Sequence, residues 1–142
     1  MKDFIELLVT QSKADRVSVT TALDDALKHL DNVMTGIAGD LQVEFFGPFV
    51  GVETEKAHQL VVRAHNWELG GKEWSLKVCT TAPQSDFRPE WPLQGSGRLR
   101  KQLIVKVLPA FFQGYAEAVA QAGKSDTPSG KRIAQFAVRF NA

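Results

Sequence analysis

A single cysteine, Cys79, stands among 142 residues, so the chain can form no internal disulfide and no cysteine-rich zinc site. Histidine is nearly as scarce. His29, His58 and His65 are scattered, with no His-x-x-x-His or His-Glu-x-x-His spacing, which excludes the zinc chemistry those pairs support. Apolar runs are short, and none approaches the roughly 18 residues needed to cross a bilayer. At the amino terminus Asp3 and Glu6 interrupt Phe4, Ile5, Leu7, Leu8 and Val9, which argues against a secretory leader. A net charge of +1 lacks the basic excess typical of nucleic-acid binders, and no helix-turn-helix or RNA-recognition pattern is present. The reading from these absences is a cytoplasmic protein without cofactor, metal or membrane span, and with no linear motif of an enzyme.

What is present is an ordinary globular composition, 44% hydrophobic and 23% charged, which excludes disorder and suits one domain over 1–142. The near-zero charge conceals two unequal halves. Through residue 60 the acids Asp3, Glu6, Asp15, Asp24, Asp25, Asp31, Asp40, Glu44, Glu53 and Glu55 outnumber the bases two to one. From Arg63 onward the balance inverts, with Arg98, Arg100, Lys101, Lys106, Lys131, Arg132 and Arg139 among the excess cations. Such complementarity is expected to be satisfied inside one fold or between two copies.

Periodicity assigns the elements. Residues 3–12 read as a short helix. Val19, Leu23, Ala26, Leu30, Val33 and Ile37 then recur at helical spacing, with Thr20 or Thr21 as cap and Gly36 and Gly39 expected at the end. From Leu41 the pattern alternates as in a strand to Phe46, and Gly47-Pro48 implies an edge or a bulge there. Gln59 to Trp67 and Glu73 to Thr80 form a hairpin. An odd-length loop through Gly70-Gly71 puts Leu60, Val62 and Ala64 on one face with Trp74, Leu76 and Val78; an even loop would mix the faces. Residues 82–94 are an irregular connection pinned by Trp91. A long helix follows from Gly97 to Ala122, which Pro109 is expected to kink or split. Residues 131–140 fit either period, and Thr127-Pro128 favours a helix. The sum is an α+β fold: N-terminal helices, an antiparallel sheet of three or four strands, and a long C-terminal helix packed on it.

The sharpest local conflict lies at Gly95, Ser96, Gly97, Arg98, Leu99, Arg100 and Lys101. A helix start concentrates partial positive charge and ordinarily recruits acids, yet this one carries three cations. Either an anionic ligand sits there, cradled by backbone N–H groups, or Ser96 caps the helix and the acidic half neutralises the bases. The missing lysine-serine/threonine ending excludes a Walker loop. A second candidate is an apolar pocket under the long helix, formed by Trp74, Trp91, Phe111, Phe112 and Tyr115; the alternative is that these rings fill a core. Cys79 and His65 fall on one sheet face as a minimal nucleophile and base, against the plainer reading of a packing cysteine. Function is therefore expected to be that of a small non-catalytic binding module for a small-molecule or anionic ligand. A self-associating homodimer is the alternative. A weak nucleic-acid binder comes third, using Arg98, Arg100 and Lys101 with Lys106, Lys131 and Arg132, and with Arg63, Trp67 and Lys77 on the outer sheet face offering some of the same character.

Overall fold

A computed structural model describes residues 3–51, 58–66, 72–80 and 90–142. Among these it has four helices and a four-stranded antiparallel sheet, in the order α1 (Phe4–Lys13), α2 (Thr21–Leu41), β1 (Phe45–Phe49), β2 (His58–Asn66), β3 (Lys72–Thr80), β4 (Glu90–Trp91), α3 (Arg98–Gln121) and α4 (Pro128–Phe140). The sheet order follows the chain, β1-β2-β3-β4.

The hairpin has the expected face assignment. Leu60 pairs with Val78, Val62 with Leu76 and Ala64 with Trp74, so the apolar residues share one face. Asn66 opposes Lys72, leaving an odd number of residues between them. The loop itself, and Trp67 with it, lies outside the described residues. β1 is an edge strand whose register shifts between Phe46 and Phe49, where Pro48 cannot donate to a ladder. β4 was not anticipated. Its two residues fall in the irregular connection and pair Trp91 with Val78.

The helices cover the apolar sheet face, α2 across β3 and α3 against β1. Leu23, Leu27, Leu30, Met34 and Leu41 of α2 meet Leu60, Val62, Leu76 and Val78 in one core with Ile104, Leu108, Phe111 and Tyr115 of α3. Asp3 and Thr20 cap α1 and α2 by accepting N–H groups from Ile5 and Leu23. Gly36 and Gly39 do not end α2. Ile37, Ala38 and Leu41 beyond them are buried, so packing carries the helix on until Gln42 turns left-handed at φ 51°. That extension takes Leu41 out of the expected first strand.

Pro109 neither splits α3 nor ends it: the helix runs unbroken through the proline. Asn141 Nδ2 donates to the Pro109 carbonyl, tying the end of α4 to the middle of α3. Residues 131–140 are helical, with Thr127 accepting the N–H of Gly130 as cap. Ile133, Phe136, Ala137 and Phe140 face inward, while Lys131 and Arg132 remain exposed. By length and hydropathy α3 is the one described helix able to cross a membrane. Its apolar residues Ile104, Val105, Leu108, Phe111, Phe112, Tyr115 and Val119 are buried inside the fold.

Candidate anion-binding site

The turn that launches α3 is held from two sides. Gly95 and Ser96 donate backbone N–H groups to the carbonyls of Pro92 and Leu93. From α2, the Asp31 carboxylate accepts the N–H of Leu93 at 2.9 Å and that of Gln94 at 3.1 Å. Burial pushes the Asp31 carboxyl above its ordinary range, and the two N–H donors pull the other way. A turn anchored by a partly buried carboxylate presents the residues after it in a fixed orientation.

Those residues leave the helix start uncapped. Gly97 is the N-cap and has no side chain to offer, so Ser96 is not the cap. The first turn contains no acidic residue. The N–H groups of a first turn have no carbonyl of their own helix to pair with, and the helix dipole adds partial positive charge at the same place. Ser96 is buried, and among the described residues its hydroxyl has no hydrogen-bond partner.

The three cations of the turn separate into two groups. Lys101 Nζ is 2.6 Å from the Asp24 carboxylate, so its charge is answered by α2. Arg100 lies over Trp91, its guanidinium carbon 4.5 Å from the ring centre, and its Nη2 is 3.3 Å from His58 Nε2. His58 in turn sits 5.6 Å from the Trp91 ring. Parity explains the meeting. His58 shares the helix-facing side of β2 with Leu60 and Val62, and Trp91 shares that side through its pairing with Val78. A cavity of about 390 Å³ opens here, lined by Arg98, Arg100 and His58 and by Val50, Leu99 and Leu103, with Gly51 and Gly97 completing it.

The sequence-derived anion site is thus reorganised. Gly97, Arg98 and Arg100 line the cavity, Gly95 and Ser96 belong to the preceding turn and do not line it, and Lys101 turns away to Asp24. His58 and Asp31 were missed. Neither stands near the turn in sequence, and only the chain path brings them to it.

The aromatic pocket is not assembled as proposed. Phe111 and Tyr115 pack with Phe45 of β1 at centroid distances of 5.7 and 5.8 Å. Phe112 points to α4 and stacks on Phe140 at 5.0 Å. All three α3 rings are fully buried. Trp74 is partly buried against the core, and Trp91 belongs to the Arg100 cluster. These rings interlock with one another and with neighbouring strands and helices, so the space is filled by side chains.

Cys79 pairs with Gln59, which lies six residues from His65 along β2, about 20 Å, too far for a nucleophile and its base. Cys79 is buried beside the Arg63–Glu90 ion pair of 2.8 Å. Burial and the neighbouring Glu90 push its thiol up to about 11, which removes its nucleophilic form at neutral pH. Among the described residues no group of three or more His, Cys, Asp or Glu could hold a metal ion.

The two charge halves meet within one chain. Besides Lys101–Asp24, Arg139 pairs with Asp3 at 2.6 Å, Ser129 donates to Asp40 at 2.8 Å, and Lys106 and Lys124 donate to the carbonyls of Ala14 and Leu41. Comparison with family models, characterised proteins and solved structures returns no match. The site's chemistry therefore has to be read from its own geometry.

Proposed function

We propose that this protein is a non-catalytic binding module, cytoplasmic in location, whose ligand is a small carboxylate or phosphate held at the start of α3. The observation that carries the reading is the conjunction of an uncapped, acid-free first turn with Arg98, Arg100 and His58 around one cavity. Backbone N–H groups and guanidinium forks are the two donor types that recognise such anions most strongly. Arg100 is held against Trp91, so less side-chain freedom is lost when an anion arrives. The nucleic-acid reading is weakened because Lys101 and Arg63 are committed to Asp24 and Glu90. Self-association driven by opposite charge loses part of its motive, since the acidic and basic halves already meet internally.

The test is isothermal titration with inorganic phosphate at low ionic strength. The reading expects saturable binding that Arg98→Ala and Arg100→Ala each weaken by tenfold or more. Lys101→Ala is expected to leave the affinity within about twofold. Equal losses at all three positions would mean diffuse charge attraction and would contradict the reading, as would the absence of binding by both phosphate and acetate.

A further inference from the structure

We infer that the anion taken by this site carries an apolar body, as an alkyl or aryl carboxylate or phosphate does; the inference rests on the anion reading above and adds to it the ligand class. The cavity is lined by two chemically distinct sets of side chains. Arg98 and Arg100 supply cations, with the His58 ring accepting from Arg100 beside them, and Val50, Leu99 and Leu103 supply apolar surface. Leu99 and Leu103 are four residues apart, so they stack one turn above the other on the same face of α3.

Leu99 is the telling residue. It is 65% exposed in the first turn of a helix whose other aliphatic residues are largely packed, and it stands between two arginines. An inorganic anion leaves this side chain in water, whereas an attached hydrocarbon covers it. Val50 is fixed next to His58, because its N–H donates to the His58 carbonyl at 2.9 Å. The cavity volume of about 390 Å³ falls within the range that holds organic ligands, and inorganic phosphate alone is much smaller than that. The head is thereby assigned to the guanidinium groups and the body to the leucines.

The experiment compares acetate, butyrate, hexanoate and octanoate, all below their micellar concentrations, alongside phosphate against phenyl phosphate and with hexanamide as the uncharged control. Each methylene that leaves water is expected to tighten binding by roughly fourfold until the apolar wall is covered. Hexanamide is expected not to bind. Leu99→Ser, a change at an exposed position, is expected to flatten the chain-length dependence and to leave phosphate affinity unchanged. If phosphate and acetate bind but longer chains gain nothing, the inference is overturned and the anion reading stands. If no anion of either series binds, both fall. If binding appears only above the micellar concentration, or hexanamide binds as well as hexanoate, the inference is likewise overturned. A rise along the carboxylates alone assigns the head as carboxylate, and a rise from phosphate to phenyl phosphate alone assigns it as phosphate.

Discussion

The guanidinium of Arg100 lies 4.5 Å above the ring of Trp91, a contact that joins the start of α3 to β4. Arg100 and Lys101 are neighbours in sequence, yet one is directed to β4 and the other to Asp24 of α2. Successive helix residues point about 100° apart, so adjacent cations reach different elements. Replacing Trp91 with leucine removes the aromatic platform. A cation–π contact of about 0.5–1 kcal/mol corresponds to a two- to fivefold loss of phosphate affinity. Trp91→Phe is expected to retain most of it, and titration of the three proteins checks the order.

Asp31 secures the same turn from beneath. Truncation to alanine leaves the N–H groups of Leu93 and Gln94 without acceptors, at about 1–2 kcal/mol each, and is expected to cost about 2–4 kcal/mol in urea unfolding. The pH dependence has a definite sign. The folded carboxyl lies above its ordinary value of 3.8, so between the two values the folded state binds more protons than the unfolded state. Asp31 thus makes stability fall as pH rises through that window. Asp3, whose carboxyl is held low by Arg139 and by the Ile5 N–H, acts oppositely: its contribution is present above 3.8 and is lost as pH falls below it. Carboxyl-carbon NMR titration of both residues checks the two directions, and an Asp31 midpoint below that of Asp3 would contradict them.

Gly114 marks a close approach between α3 and β1. A Cβ there would stand 2.6 Å from the tip of the Phe45 ring, closer than packed carbon atoms come. Gly114→Ala is expected to destabilise by about 1–3 kcal/mol through overpacking, despite alanine's better helix propensity. Adding Phe45→Leu is expected to recover part of the loss, which a double-mutant cycle in urea measures.

Tyr115 presents the reverse case, an atom the core does not need. Its ring is fully buried between Phe45 and Phe111, and among the described residues its hydroxyl has no hydrogen-bond partner. Burial raises the phenol's pKa. Removing an unpaired buried hydroxyl recovers its desolvation cost, so Tyr115→Phe is expected to be neutral or to stabilise by about 1–2 kcal/mol. A loss of more than about 1 kcal/mol in thermal unfolding would show that the hydroxyl has a partner, such as a buried water.

The parts of the fold legible in sequence were those set by local period and by side-chain parity. The alternation of Leu60, Val62 and Ala64 against Trp74, Leu76 and Val78 fixed the sheet face, and Thr127-Pro128 marked the start of α4. The charge conflict at Arg98, Arg100 and Lys101 singled out the turn whose residues Gly97, Arg98 and Arg100 line the cavity. What sequence could not supply was distance. Asp31 reaches Leu93 across 62 positions, and Arg100 reaches His58 across 42. Gly36 and Gly39 misled because a glycine permits a helix end without requiring one, and the buried Ile37 and Leu41 decided otherwise. The abundance of aromatic residues in α3 suggested a pocket, but composition says nothing of whether rings interlock, and Phe112 with Phe136 and Phe140 shows that they do.

The most direct measurement is a ¹H–¹⁵N correlation spectrum of the labelled protein, titrated with phosphate at low ionic strength. The account predicts saturable shifts at the amides of Gly97, Arg98, Leu99 and Arg100 and at the Arg98 and Arg100 side chains, with Lys131 and Arg132 on α4 unmoved. Shifts spread evenly over the exposed lysines and arginines, or no shift at the first turn of α3, would contradict it.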